Sequence, residues 1–575
     1  MGATTRLRTG AVTAALLGLL GCGGGGGSAG SDGGPRDGRP RDGQPRDGDL
    51  DSSAVDAFVP ELRPCPGDHR VTTRAELDAL AGCTSIGGDL EIVGVGGADV
   101  APLEALTEIG GHLHIEGCAF RTLRHLASLT SLGADLRLVD NDALSSLVGL
   151  DALGPIPGDL VLDDNDELAN LQGLGVTAIT GAFVVRGHRR LEDLTGLGPL
   201  SSLQTLTVSE NAALRSLRGL DALTQVDGEL TIAGNLALTE LDGLDALASV
   251  GGDVSLVRNW ALADLSALGA LTTVGGRLTL DRNVALSSLD GLDNLRSVGG
   301  PLAILGHEAL VDLGALAGLT RVGGISIRGS PRLTTLTGLP MVSALDHLLL
   351  GNLDRLADLS ALTGLTEVRG DLAIEGCPAV TTLAPLSTLR RIAGELRLED
   401  TGLTELTGLG NLAGTLRGLR VVDNLELRSL AGLGPIATLG DVTIEGNELI
   451  EDLAGLEGVT SVWTLRVAFN ASLTALTGLG DLARAQDLAI LGNPLLTDLD
   501  GLTALGVVAS DLAVEENPQL RTLRGAANLH RVGRDLLVRN NLRLPMCEVD
   551  ALTAQLMSLG GRVVAEGNTG TAPCP

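Results

Sequence analysis

The sequence predicts a repeat solenoid, mainly β, of about 21 coils of 23–24 residues stacked along one axis. Three observations predict it. Residues 275–298, GGRLTLDRNVALSSLDGLDNLRSV, recur with variation from about Ile86 to Asn568. An Asn returns at one fixed place in the unit, and the apolar residues fall at spacings that no α-helix sustains.

The strand comes first in each unit. Leu278 and Leu280 alternate across Thr279, the period of a short strand with one face buried. After Asn283, the residues Leu286, Leu289, Leu292, Leu295 and Val298 follow at three-residue steps. Such steps suit a winding path of short extended and turn segments with a leucine inward each time. The Gly275-Gly276 pair before the strand is expected to permit φ > 0 at the return corner. Equivalent strands of successive coils would pair in parallel at about 4.8 Å, giving an array on the order of 100 Å long.

Aligned on Leu-x-Ile-x-x-Asn, the last position falls on Asn141, Asn165, Asn211, Asn235, Asn259, Asn283, Asn424, Asn447, Asn470, Asn493, Asn517, Asn541 and Asn568. In the other coils the slot holds Val95, Cys118, His188, His307, Ser330, Leu353, Cys377 or Thr401. Only 19 Asn occur in the chain and 13 stand here, so the slot has a physical requirement. Each coil bends sharply after its strand and leaves inward backbone N–H and C=O groups without a ladder partner. A buried group left unmet costs about 1–3 kcal/mol. An Asn amide donates and accepts at once, so a column of them serves its own coil and the next. Five successive coils, from His307 to Thr401, lack the Asn, and a slight irregularity is expected there.

The chain has 41 basic residues, all Arg, and neither Lys nor Tyr, a pattern of GC-rich coding. Aromatic residues at 1% leave few interface anchors. Of the net charge of −30, residues 1–22 contribute +2 and residues 23–64 contribute −3, leaving −29 on the remainder. So acidic a surface repels nucleic-acid phosphates and anionic headgroups, and nucleic acid is not an expected partner. Cations, basic peptides or solubility alone are favoured.

Arg6 and Arg8 precede a short apolar run, Ala11 to Leu20, which Gly21 and Cys22 close. This is the pattern of a secretory signal over residues 1–22. The ending Leu19-Leu20-Gly21-Cys22 resembles the lipobox of bacterial lipoproteins. The resemblance implies cleavage before Cys22, diacylglycerol on its thiol and acylation of the new amino terminus, the multiple chains that stable anchoring needs. A plain signal peptide with an incidental cysteine is the alternative. Gly23 in place of Asp points, by the family's pattern, to the outer rather than the inner membrane. Residues 23–64 run GGGGGSAGSDGG, three PRDG-like units and an acidic piece. They hold too few large apolar groups to offset ordering entropy, so they are expected to be a disordered tether with a reach of about 35 Å.

The phrase I-GG-DL-x-I followed by L-x-x-L-x-GL-x-x-L resembles the receptor L-domain branch of leucine-rich-repeat proteins, over nearly all of residues 65–574. CTSIGGDLEI, residues 83–92, is similar to the cysteine-led first strand of such domains. The resemblance implies a right-handed β-solenoid that binds ligands outside cells. It also implies a slot that admits Cys, which makes Cys118 and Cys377 buried structural thiols. Receptor signalling is not implied, since no cysteine-rich module, spanning segment or kinase is present. Internalin-like repeats, with a period of about 22, fit less well.

A repeat array needs covered ends. We expect an N-terminal cap over residues 65–85, the solenoid over 86–545 and a C-terminal cap over 546–575. Thr73-Arg74-Ala75-Glu76 reads as a capping box opening a short helix to about Ala81, flanked by Cys65 and Cys83. Val549, Leu552, Leu556 and Met557 fall at helical spacing, and Cys547 and Cys574 flank the last coil. A bridge at each end contributes about 3 kcal/mol by loop-closure entropy. Seven cysteines then sort into one lipid site, two bridges and two slot thiols, which fits an oxidising envelope compartment.

The sequence contains no HExxH, P-loop, GxSxG or zinc-finger spacing, and no enzyme is expected. His112 and His114 share the outward side of one strand, two ligands without a third. The residue before the strand's first core position is acidic in many coils: Asp89, Asp135, Asp159, Glu229, Asp253, Asp371, Glu395, Asp441, Asp487, Asp511 and Asp535. Such a column could bind Ca²⁺ or a basic partner. The preferred reading is that each carboxylate caps its turn through local backbone N–H groups. Trp260, Trp463, Phe120 and Phe469 are the expected exposed aromatics. Of these Trp260, Trp463 and Phe469 are candidate binding residues, with corner padding as the alternative. The expected protein is a monomeric, lipid-anchored envelope protein presenting a long acidic face to a protein or glycan. A passive spacer or coat component without a discrete ligand is the alternative.

Overall fold

Residues Leu278–Asp281 form a strand with Leu278 and Leu280 buried and Thr279 and Asp281 on the outward face. It pairs in parallel with Val254–Val257 on one side and Leu302–Leu305 on the other, keeping Leu278 in register with Val254 and Leu302. The pairing repeats through the computed structural model, which describes residues 60–97 and 99–571. The result is a mainly β parallel solenoid of about 22 turns. The signal with Cys22, the tether up to residue 59, and Cys574 lie outside the described residues.

The three-residue leucine steps become the other two sides of the coil. Leu286, Leu289, Leu292, Leu295 and Val298 are all buried. One side carries two-residue strands such as Thr273–Val274, paired with Ser249–Val250 and Ser297–Val298. The other is turns and short 3-10 segments such as Ser266–Leu268. Threonines beside the two-residue strands tie coil to coil: Thr224, Thr272 and Thr320 donate through Oγ1 to the carbonyls of Ser201, Ala248 and Arg296.

The return corner corrects the sequence expectation. Gly275 does not have positive φ. A Cβ placed on it would lie 2.1 Å from the carbonyl oxygen of Gly251 in the preceding coil. Glycine stands there because the coils touch. Positive φ is needed elsewhere, at Gly291 in the Gly-Leu step, with φ +104.

The ends carry more sheet than expected. Within the cap region, His69–Val71 already pairs with Leu90–Val93, which supplies a turn beyond the 21 expected. Arg63 and Pro64, placed in the tether from sequence, belong to strand Arg63–Cys65, which pairs with Cys83–Ile86. Helix Arg74–Asp78 has the capping box of Thr73 and Glu76, and a disulfide joins Cys65 to Cys83 across it. At the other end, helix Met546–Gln555 buries Val549 and Leu552. Leu556 and Met557 fall after it, and Met557 projects into solvent. Cys547 is disulfide-bonded. The inserted helix stretches the last step, Asn541 to Asn568, to 27 residues. No described helix is long and apolar enough to cross a membrane.

Candidate binding face

Two polar columns border the long sheet. At the exit edge, Oδ1 of Asn283 accepts the backbone N–H of Asn259 at 3.0 Å, and its Nδ2 donates to the carbonyl of Leu256 at 2.9 Å. The slot amides thus serve the coil before them, where the sequence reading had the next one, and several also serve their own coil as expected, as where Nδ2 of Asn447 donates to the Glu445 carbonyl at 3.1 Å. The column is unbroken from Asn424 to Asn568.

Other residues fill the slot partially. The Cys118 thiol donates to the Ile92 carbonyl at 3.5 Å, reproducing the donor half of the amide. Burial raises both slot thiols, Cys377 to about 11. His188 is fully buried and neither ring nitrogen makes a well-aligned hydrogen bond. Burial holds its pKa down to about 4, against a small opposing pull from the Arg186 carbonyl. Burial also lowers His307, whose Nδ1 lies 3.0 Å from the carbonyl oxygen of Asn283.

At the entry edge the acidic column corrects the expectation of local caps. Oδ1 of Asp89, Asp135, Asp159, Asp253, Asp371, Asp487, Asp511 and Asp535 each accepts a backbone N–H from the next coil. Several outer oxygens meet cations: Asp135 and Asp159 share Arg137, and Asp371 meets Arg397. The stacked carboxylates are therefore spaced by donors and guanidinium groups. His112 and His114 do not converge, since His112 pairs with Asp89 at 2.9 Å and His114 with Glu116 at 3.4 Å. Among the described residues no group of three or more His, Cys, Asp or Glu side chains could hold a metal ion.

The array departs from uniformity one step beyond the five coils without Asn. Strands Gly414–Val422, Ile436–Glu445, Ser461–Ala468 and Arg484–Leu491 each run through the return corner as one extended segment. The signal was present in the sequence. In these coils two residues, Arg417-Gly418, Gly440-Asp441, Trp463-Thr464 and Gln486-Asp487, join the buried Leu416, Leu439, Val462 and Ala485 to the first core residue of the long strand, where Gly275, Gly276 and Arg277 make three.

The outward face here is chemically distinct. Arg397 lies between Asp371, Glu375 and Glu395, and Arg420 and Arg466 pair with Glu399 and Glu445, both at 2.7 Å. Trp463, 61% exposed, stands at the entry edge. Phe469, 50% exposed, holds the exit edge at φ +55, with the Arg466 guanidinium 5.8 Å from its ring centroid. Six extended residues separate the two rings by about 20 Å. Trp260 is 54% exposed, in a different part of the array. Phe120, expected to be exposed, is buried, because it fills the inward position that Leu144 fills one coil on.

No protein-family model and no curated protein sequence matches this chain. Among solved structures it is similar to TLR13 in the crystal structure of the TLR13-ssRNA13 complex, at 16% identity and TM-score 0.31, covering 86% of this chain and 76% of that one. It is also similar to the functional domain of InlJ from Listeria monocytogenes, which includes a cysteine ladder, at 17% identity and TM-score 0.22, covering 64% and 74%. Both are leucine-rich-repeat proteins.

Proposed function

We propose that this is a non-catalytic recognition protein of the bacterial envelope, anchored through lipid on Cys22, which binds a protein or glycan on the outward sheet face around residues 395–491. The observation that carries this reading is the local break in uniformity. Four coils run as continuous strands through the corner, and the same coils bring Trp463, Arg466 and Phe469 to the surface. A passive spacer has no use for that change, since the regular coil already stacks. Exposed aromatics bracketing paired charges are the composition of a binding surface, with apolar area at the centre of the energy and polar groups setting register.

The test is capture from envelope extract by the whole protein and by a Trp463→Ala/Phe469→Ala variant. The variant should lose its captured partner at least tenfold while its melting curve stays unchanged; equal capture by both proteins would sink the reading in favour of the spacer. Anchoring is checked separately. Cys22→Ala should abolish incorporation of labelled fatty acid and release the protein from the outer-membrane fraction.

A further inference from the structure

The exit corner carries a second apolar feature, nine ladder steps before Phe469 and outside the face proposed above. Leu236, Trp260 and Val284 each follow a ladder Asn in three successive coils, and they are 48%, 54% and 37% exposed. Their coils are in parallel register, so the three side chains form a stripe along the array at about 4.8 Å per step. Behind them Leu238, Leu262 and Leu286 fill the core, so the exposed part of each apolar side chain faces outward.

Beside the stripe stand Arg258 and Arg282, one residue before the ladder Asn of adjacent coils. Both adopt left-handed backbone, φ +55 and +53, at a corner where Gly234, Gly306 and Gly329 accept positive φ without a side chain. Among the described residues neither guanidinium forms an ion pair or a side-chain hydrogen bond. At the same left-handed corner other coils carry acid instead, at Asp140, Asp164, Glu210, Asp400, Asp423 and Glu516. Two like charges one coil apart repel, and an anionic group held between them relieves that repulsion. The platform is also rigid, since the amides of Asn235, Asn259 and Asn283 lock these coils in sequence.

We propose that Leu236, Trp260 and Val284, with Arg258 and Arg282, dock a polypeptide segment that sets carboxylates beside bulky apolar side chains. The stripe takes the apolar groups and the arginine pair takes the acid. The body's overall negative charge opposes such a partner at a distance, and at physiological salt it is screened beyond about 8 Å, so contact depends on the local pair. Asp281 and Glu308, at the same corner, discriminate against a segment with acid on every residue.

Trp463→Phe in the full chain leaves Trp260 as the single indole, which makes the test spectroscopic. The probe is a synthetic peptide alternating Glu with Leu and Phe, against a control with Lys for Glu and against phosphatidylglycerol vesicles. We expect a saturable blue shift of Trp260 emission with the Glu peptide only. Arg258→Glu/Arg282→Glu should weaken it at least tenfold, and Trp260→Ala should leave the melting temperature within about a degree. Equal response to the Lys peptide, an unaltered response in the arginine variant, a shift with vesicles alone, or no shift with any probe would each overturn the proposal. Because the Trp463→Phe protein is used throughout, the outcome is independent of the face around Phe469.

Discussion

The backbone N–H and the Nδ2 of Asn447 both donate to Oδ1 of Asn470, at 3.2 and 3.1 Å. Nδ2 of Asn470 donates in turn to the carbonyl of Ile444 at 3.0 Å, so one amide closes three bonds of the coil before it. Asn470→Ala strands a buried N–H and a buried C=O and should cost about 2–4 kcal/mol in urea denaturation. A loss below about 1 kcal/mol would show that water replaces the amide.

Acid should weaken the array through its buried histidines. The folded-state pKa of His188 is lowered to about 4 from 6.5, so below pH 6.5 the unfolded chain takes a proton that the folded chain refuses. Stability is then lost as pH falls from about 6.5 to about 4, by on the order of 3 kcal/mol, and no further below that from this residue. His307 is shifted in the same direction. His188→Asn, which also restores a slot amide, should raise the urea midpoint at pH 5 and flatten the pH profile between 6.5 and 4.

Gly275→Ala should destabilise by about 1–3 kcal/mol, since the new methyl would meet the Gly251 carbonyl oxygen at 2.1 Å and the corner cannot give way without shifting a coil. Gly480→Ala is the control. Nothing lies within 4 Å of its added carbon and its φ is not positive, so its thermal midpoint should stay within a degree or rise.

The slot thiols should be inert in the folded protein. Cys118 and Cys377 are buried and their pKa values are raised by that burial. Peptides containing them should remain unmodified by iodoacetamide at pH 8 in native buffer and be fully modified in guanidinium.

Calcium should leave the melting curve where it is under chelator. The inner oxygens of the Asp column already accept backbone N–H groups, and several outer ones face arginine. A rise of several degrees in millimolar Ca²⁺ would mean that the outer oxygens recruit the ion.

The repeat was legible because its requirements are local in the chain. Leu278 and Leu280 announce a strand by alternation, and Asn283 announces a buried turn by standing where no exposed residue needs to be Asn. The candidate face was half legible. Trp463 and Phe469 could be picked out as rare aromatics, yet exposure does not follow from rarity, as buried Phe120 shows. The corner glycine is ambiguous as a letter, since positive φ and close contact both call for glycine, and at Gly275 only the contact with Gly251 applies.

What the sequence determined alone is the period: one strand, one amide and a train of leucines every 23–24 residues, each set by the chain's own geometry. What only the tertiary structure decided is everything that passes between coils. That includes the amide of Asn470 reaching back to Asn447, the carboxylate of Asp511 reaching forward to Asp535, and Gly275 lying against Gly251. The physical reason is distance. These partners are a full turn apart in sequence and a single strand spacing apart in space, so their contacts depend on how closely the coils settle, a quantity that no single repeat contains.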